Sequence, residues 1–295
     1  MKRQILVMLT VWVLVACNTS NDQQSSSNLE DRVPGKWINV GPGGGGAVFE
    51  ATVNPADSQH VFICNDMTGS YVSEDGGESW RTFNLRTTIN DFEFDPNDPD
   101  VVYASNTGLY RSENRGRSWK LIYPDPVNVI EELMLGDHAD HSFLTRDGMP
   151  DGRIVKICVD PVDSRRVAIG IIPPSRLSNV DRPRASRDSV RIMVSEDRGL
   201  SWNLRCLLPG RNVLGIFPGS WQDNDDELLV FTEKVSAKVN RKTRHVMEMK
   251  FPVDGISCVT GGIGLQGPLY YILSNPERVA GQLSGGIYRS SDGAN

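Results

Sequence analysis

A motif that recurs along the chain limits the fold more than any other feature of the sequence. The pattern Ser-x-Asp-x-Gly-x-Ser-Trp occupies residues 73–80 and 195–202, and residues 112–119 carry the same pattern with Asn in place of Asp. The first two copies are 39 residues apart, and strand-like apolar runs and Asx-Pro turns recur between them. A period near 40 residues with four strand-like runs in each copy is typical of β-propeller blades. We therefore predict an all-β protein, a β-propeller of four-stranded antiparallel blades.

The residue types of this motif fit a tight turn between two strands. Short Ser and Asp side chains bind backbone N–H groups within a turn, Gly permits positive φ, and Trp packs as a bulky anchor. We call these segments the serine–aspartate turns, and they resemble the Asp-box, the bacterial neuraminidase repeat. We predict a structural role for Ser73, Asp75, Gly77, Trp80, Ser112, Asn114, Gly116, Trp119, Ser195, Asp197, Gly199, Trp202, Ser290 and Asp292.

The spacing of the later copies predicts five units with two insertions. The third turn begins 83 residues after the second, and residues 124–152 and 173–188 account for the excess. A fourth, degenerate unit covers residues 213–251, and a fifth begins near Ile256 and reaches Gly293. The fifth turn lacks its Trp and an outer strand, so we expect a fragment of a seven-bladed or double propeller. In the alternative interpretation, residues 37–40 supply that outer strand and close a ring of about five blades.

The first residues have the pattern of an export signal. Lys2 and Arg3 precede an apolar run that is too short to span a bilayer and ends in Leu-Val-Ala-Cys17. This ending resembles the lipobox of bacterial lipoproteins, which implies lipidation of Cys17 and an exported protein on the outer membrane or cell surface. An ordinary signal peptide is the alternative. We predict a signal peptide over residues 1–16, a lipidated Cys and polar tether over 17–35, and the propeller over 36–295.

Charge and cysteine content restrict the partners. The formal net charge of −6 gives no electrostatic reason to expect nucleic acid, so we predict membrane contact through the lipid anchor only. Each of the four remaining cysteines stands alone in a strand-like run, which favours buried free thiols over disulfides. No cofactor is predicted.

Two polar insertions are interpreted as solvated loops. Residues 137–141, Asp-His-Ala-Asp-His, are metal-ligand types but lack further ligands nearby, so we predict no metal site. The second insertion contains Arg176, Arg182, Arg184 and Arg187.

Blade geometry indicates where a ligand binds. The loops that enter each blade and the turns between second and third strands lie on one face, which we call the entry face. The glycine run Gly43, Gly44, Gly45 and Gly46 and the turn containing Asp66 belong to this face. Counting back from the serine of each turn aligns Asp66 with Ser105, so the fold does not require a carboxylate there. We predict Asp66 as a candidate catalytic residue, with a turn cap as the alternative role. Trp221 is predicted to line a ligand cleft.

The glycine run followed by Asn65-Asp66-Met67-Thr68-Gly69-Ser70-Tyr71 resembles the first blade of the xyloglucan-specific endoglucanase family. That family has a four-glycine run and a T-D-x-G-G-A-Y turn, and the resemblance covers about 40 residues. It implies an inverting glycoside hydrolase acting on a polysaccharide, with Asp66 as one catalytic carboxylate and its partner in a second propeller outside this chain. Asn65, Thr68 and Ser70 depart from the family pattern and leave the substrate open.

Two other functions are compatible with the repeats. Sortilin-type and photosystem-assembly propellers carry the same repeats and hold peptides or proteins without catalysis. A sialidase is disfavoured because the chain lacks the F/Y-R-I-P sequence of that family; Arg191-Ile192 is followed by Met193-Val194.

Overall fold

The structure is a computed structural model of the 295-residue chain. The residues it describes are 38–42, 46–66, 69–135, 140–146, 152–173, 188–221, 225–249, 255–264, 267–274, 277–279 and 282–290.

The described residues form a succession of small antiparallel sheets, one for each predicted unit. The first four sheets each contain four strands in chain order. They are blade 1, β1 (Val48–Asn54), β2 (Asp57–Asn65), β3 (Ser70–Ser73) and β4 (Arg81–Phe83); blade 2, β5 (Asp91–Phe94), β6 (Val102–Ser105), β7 (Leu109–Ser112) and β8 (Lys120–Tyr123); blade 3, β11 (Arg153–Val159), β12 (Val167–Ile172), β13 (Ser189–Ser195) and β14 (Asn203–Pro209); and blade 4, β15 (Val213–Pro218), β16 (Glu227–Thr232), β17 (Ser236–Asn240) and β18 (Val246–Met249).

Blade 5 and two extra hairpins complete the described strands. Blade 5 pairs β19 (Ile256–Gly264), β20 (Gly267–Ser274) and β23 (Ile287–Ser290), and β21 (Glu277–Val279) and β22 (Gln282–Ser284) form a hairpin within it. The first predicted insertion contains a 3₁₀ turn, Pro126–Asn128, and the hairpin of β9 (Val129–Leu135) and β10 (Asp140–Thr145). The predicted all-β propeller with four-stranded antiparallel blades is thus confirmed, including the degenerate fourth blade.

Apolar side chains between neighbouring sheets hold the blades together. Between blades 1 and 2, Phe62 stacks on Phe92 with ring centroids 4.8 Å apart. Phe92 and Phe94 alternate with charged residues along β5 because successive side chains of a strand point to opposite faces. Similar buried clusters lie between blades 2 and 3, 3 and 4, and 4 and 5.

The cysteines in the described part of the chain are free thiols. Cys64 and Cys158 are buried, as predicted, and burial raises the pKa of each to about 12. Cys206 is half-buried and Cys258 is exposed, so the prediction that all four are buried is wrong for these two. Both lie on strands, but the faces on which they lie are not fully covered.

The predicted boundaries at residues 16 and 35, with Cys17, fall outside the described residues. In the part of the chain that the structure describes, no helix has the length and apolar character needed to cross a membrane.

Candidate functional site

Asp66 lies at the entry face, at the end of β2, and its side chain is exposed. Its Oδ1 accepts a hydrogen bond of 2.7 Å from the backbone N–H of Ala47, and its own N–H donates to the Ala47 carbonyl at 3.2 Å. The hydroxyl of Thr88 donates to the Asp66 carbonyl at 3.4 Å. Both the backbone and the carboxylate of Asp66 are therefore held in place while the side chain stays accessible.

These contacts place Asp66 beside the end of the glycine run. Gly46 has a φ of 92° and directly precedes Ala47. The other three glycines, Gly43 to Gly45, lie outside the described residues, as do Met67 and Thr68 in the turn. Of the predicted ligand contacts on this face, the structure thus brings Gly46 and Asp66 together.

Strand register corrects the alignment of Asp66 with Ser105. Val61 in blade 1 and Val102 in blade 2 both lie opposite the turn serine, Ser73 or Ser112. Counting along the second strand from these positions matches Ser105 with Cys64, because the turn of blade 1 is two residues longer.

The corrected register matches Asn65 with Asn106 and Asp66 with Thr107. Asn106 is buried, donates to the Leu85 carbonyl at 2.9 Å and accepts from the Gly108 N–H at 2.8 Å. Asn65 is buried to the same extent as Asn106. The repeated asparagine thus belongs to the scaffold, and blade 2 still does without a carboxylate at the position of Asp66.

The serine–aspartate turns are built by contacts within the turn. In blade 1 the hydroxyl of Ser73 donates to Asp75 Oδ1 at 2.7 Å and accepts from the Gly77 N–H at 2.8 Å. Asp75 also accepts from the Ser79 N–H at 2.9 Å, and these hydrogen bonds, led by that of the Ser79 hydroxyl, lower the pKa of Asp75 to about 2. Gly77 has a φ of 97°, a conformation that favours glycine.

The other turns repeat these contacts with small changes. Gly199 and Gly116 donate to Ser195 and Ser112 at 2.8 Å each, and Asn114 replaces the aspartate by accepting from the Ser118 N–H at 2.9 Å. Ser290 ends β23, and Asp292 lies outside the described residues. None of these contacts uses the entry face.

A second group of charged residues lies at the centre of the propeller and was not predicted from the sequence. A half-open cavity of about 270 Å³ lies among the inner strands of blades 2 to 5, and Asp91, Glu93, Lys156 and Trp221 help to line it. Asp91 Oδ2 accepts from the Ile157 N–H at 2.9 Å, and Asp91 Oδ1 lies 3.4 Å from Lys156 Nζ. The alternation Asp-Phe-Glu-Phe on β5 was the available signal, since it places two carboxylates on one face of a strand.

Burial dominates the electrostatics of this cavity. It raises the pKa of Asp91 to about 6 against the opposing charge of Lys156, and it raises the pKa of Glu93 from 4.5 to about 8. Burial pushes the pKa of Lys156 down, but the charges of Asp91 and Glu50 outweigh it and raise that pKa. The Ile157 N–H that donates to Asp91 belongs to β11, so this carboxyl also links the inner strands of blades 2 and 3.

Trp221, predicted to line a cleft, lies at the wall of this cavity rather than near Asp66. Its indole N–H donates to the Tyr270 hydroxyl at 3.0 Å, and the side chain is half-buried. The structure therefore does not show Trp221 and Asp66 as parts of one site.

The polar insertions add no metal centre to the described residues, where no group of three His, Cys, Asp or Glu side chains could hold an ion. His141 is buried with Nδ1 3.3 Å from the Thr107 hydroxyl, and burial lowers the pKa of its imidazole to about 4. Asp137, His138 and the four arginines of the second insertion lie outside the described residues.

Comparison with known proteins supports the propeller class. A family model described as Sortilin, neurotensin receptor 3, matches residues 35–140. An ancestral GH74 enzyme superposes with a TM-score of 0.57 at 15% identity, over 86% of this chain and 31% of that chain. The GH74 xyloglucanase from Xanthomonas campestris superposes with a TM-score of 0.49 at 17% identity, over 82% of this chain and 36% of that one.

A protein of another kind has a lower score. YCF48 from Cyanidioschyzon merolae superposes with a TM-score of 0.43 at 10% identity, over 82% of this chain and 71% of that chain. No curated protein sequence matches the chain. The chain spans about a third of the length of the GH74 structures above. At 15% identity the likeness to the ancestral GH74 enzyme shows the fold alone, a β-propeller.

Proposed function

We propose that the protein is an exported β-propeller that acts on a polysaccharide, with Asp66 as one of the two carboxylates of an inverting glycoside hydrolysis. The observation that carries this proposal is the position of Asp66. Its carboxylate is exposed on the entry face and is held by the Ala47 N–H beside Gly46. A carboxylate that is both oriented and accessible meets the geometric need of an acid or base in catalysis.

The proposed reaction needs a second carboxyl group. In inverting hydrolysis one carboxylic acid protonates the leaving oxygen and a carboxylate activates water, with the two groups roughly 6.5–9.5 Å apart. We propose, from the family resemblance, that the partner of Asp66 lies on a second propeller. Asp91 and Glu93 are not assigned this role because they line the central cavity, where Lys156 pairs with Asp91, and not the exposed turn that contains Asp66.

Asp66→Asn in the full-length protein tests the catalytic role. The amide retains an oxygen that can accept from Ala47 N–H, so the fold should survive, but it cannot exchange a proton at neutral pH. We expect at least a hundredfold loss of reducing-end release in a screen of plant and bacterial glycans. Glu78→Gln, in an exposed turn on the opposite face, is the matched control and should keep full activity. Equal activity in wild type and Asp66→Asn would remove Asp66 from the mechanism.

A binding function is the second candidate, favoured by the sortilin match, which includes both the glycine run and the Asp66 turn. In that case no glycan would be cleaved by the wild type. A glycan or peptide would instead bind with similar affinity to wild type and Asp66→Asn. Titration calorimetry on ligands from the same screen distinguishes this outcome from an inactive enzyme.

We also propose that the serine–aspartate turns are Asp-box repeats and that the protein is a lipoprotein anchored through Cys17. The basis is the turn pattern together with the Leu-Val-Ala-Cys ending of the apolar leader. Mass spectrometry of the mature N-terminus is expected to show a diacylated or triacylated Cys17. Cleavage at another site, or an unmodified Cys17, contradicts the anchor.

A further inference from the structure

In blades 2 and 3 the Trp of the serine–aspartate turn rests on the outer strand of the preceding blade. Trp202 donates from Nε1 to the Ile122 carbonyl at 3.1 Å, and its ring lies 5.5 Å from that of Tyr123. Trp119 stacks on Phe83 with ring centroids 5.4 Å apart and planes 18° apart. Ile122 and Tyr123 belong to β8, and Phe83 belongs to β4, the fourth strands of their blades. A ring contact with the preceding outer strand is therefore common to blades 2 and 3, whereas the Nε1 hydrogen bond to that strand is made in blade 3 and not by Trp119 of blade 2.

Residues 38–42 contact blade 1 as β8 contacts blade 3, through a backbone carbonyl that accepts from the Trp of the turn. Trp80 donates from Nε1 to the Val40 carbonyl at 2.8 Å. A Cβ atom added to Gly77 would lie 3.0 Å from the Val40 side chain, and one added to Gly199 would lie 2.5 Å from Ile122. Val40 thus has the position next to blade 1 that Ile122 has next to blade 3.

The path of the chain agrees with this equivalence. β4, an outer strand, leads through residues 84–90 into β5, the inner strand of the following blade. Residues 38–42 lead in the same way through the glycine run into β1, the inner strand of blade 1. In chain order, the residues between Val40 and β1 then correspond to residues 84–90 between β4 and β5.

The face of blade 1 that looks away from blade 2 lacks a neighbour among the described residues. On β1, Val48 and Val53 point to this face and are 48% and 50% exposed, whereas Phe92 and Phe94, on the matching face of β5, are 3% and 5% exposed. Ile38, in the segment that contacts Trp80, is 69% exposed. An apolar surface of this kind indicates a protein contact.

We propose that residues 38–42 are the outer strand of a ring-closing blade, and that the three inner strands of this blade cover the exposed face of blade 1. The partner is a three-stranded antiparallel sheet with a free edge that pairs with residues 38–42. Blade 5 does not fill this place in the structure, because β23 pairs with β20 only among the described strands and its Ile287 is 73% exposed. The closing blade is therefore an additional one.

This assignment does not depend on the proposed function, but it has a consequence for the candidate site. Gly46 and Ala47, of which Ala47 contacts Asp66, would lie between the closing blade and blade 1. The turn between the second and third strands of the closing blade would then form the second wall of the site on the entry face.

Hydrogen exchange tests the assignment. The translation product of the complete reading frame, without its leader, is compared with residues 18–295, and the oligomeric state of each is measured by light scattering. We expect the amides of Ile38 to Val40 to exchange at least tenfold more slowly in the complete product, because strand pairing protects amides. The peptide covering β8 is the internal control, since Ile122 is in a paired outer strand and should be equally protected in both proteins.

Each other outcome overturns the proposal. Equal protection of Ile38 to Val40 in monomeric 18–295 means that β23 closes the ring within this chain. Protection that occurs only in a dimer identifies a second copy as the partner. Fast exchange in both proteins, or a reading frame that ends at Asn295 with fast exchange, means that residues 38–42 merely lie against Trp80.

Discussion

Carboxyl groups in two parts of the propeller have opposite environments. In the serine–aspartate turns, Asp75 and Asp197 accept several hydrogen bonds from neighbouring N–H and hydroxyl groups. At the centre, Asp91 and Glu93 are half-buried among the inner strands of several blades. The pKa is lowered in the turns and raised in the cavity. The comparison shows that one residue type serves the scaffold in two electrostatically different ways.

The cause of the difference is the balance between hydrogen bonding and burial. For Asp197 burial alone would raise the pKa, but the hydrogen bonds from Ser201 and Ser195 outweigh it and the pKa falls. For Glu93 burial is the largest influence and the nearby charge of Asp91 adds to it, while Lys156 opposes both. The charged form is therefore favoured in the turn and disfavoured in the cavity.

The two environments predict opposite pH dependence of stability. A lowered pKa means that the folded state binds the proton less tightly than the unfolded state, so the contribution of Asp197 is present above its unfolded pKa and lost as pH falls. Glu93 has a raised pKa, so the folded state is favoured at low pH. That advantage is lost as pH rises from 4.5 toward about 8.

The largest expected effect is that of Glu93→Gln. The amide has the shape of the protonated carboxyl and cannot ionise, so the variant avoids a buried charge at high pH. We expect it to be more stable than wild type by about 3 kcal/mol at pH 9 and by less than about 1 kcal/mol at pH 5. Urea unfolding at the two pH values measures the difference.

A control separates charge from a general effect of the substitution. Glu78→Gln changes an exposed glutamate in a turn and should leave the free energy of unfolding within about 0.5 kcal/mol of wild type at both pH values. If Glu93→Gln changes the free energy of unfolding equally at pH 5 and pH 9, Glu93 ionises as freely as a surface group. The cavity and the turns would then not differ in how they affect carboxyl groups.

The contrast between turn and cavity also explains how much the sequence could reveal. The turns were predicted residue by residue because Ser195, Asp197 and Gly199 bond to one another within five positions. The environment of Glu93 depends on Lys156 and the rest of β11, which are 60 or more residues away in the chain. No local sequence pattern predicts a contact between residues so far apart. Period and residue type therefore predicted the blades and the scaffold turns.

The site of Asp66 was predictable from the sequence only in part. Its turn and the glycine run were predicted to share a face, and the contact with Ala47, 19 residues away, could be anticipated from blade geometry. The two extra residues in the turn of blade 1 could not be anticipated. The predicted match of Asp66 with Ser105 was therefore wrong by two residues. The contact of Val40 with Trp80 depends on how blades follow one another around the ring.

Asp197→Asn is the smaller test and addresses the turn side of the comparison. The amide oxygen can still accept from the Ser201 N–H, which Asp197 Oδ1 now accepts at 2.8 Å, so the turn should form. What is lost is the charge that strengthens these hydrogen bonds, and we expect the free energy of unfolding to fall by about 0.5–1 kcal/mol at pH 7.

The pH dependence of stability gives a second measurement on the same variant. As pH falls, the carboxylate of wild-type Asp197 becomes protonated, and the wild type loses the stability that the charge contributed. The thermal unfolding midpoints of the two proteins should therefore converge between pH 5 and pH 2, with the variant showing the shallower slope. Glu78→Gln, which changes an exposed glutamate, should follow the wild-type slope. Parallel curves for wild type and Asp197→Asn would mean that the turn binds a neutral side chain as well as a charged one, and that the turns and the cavity do not differ in the way proposed.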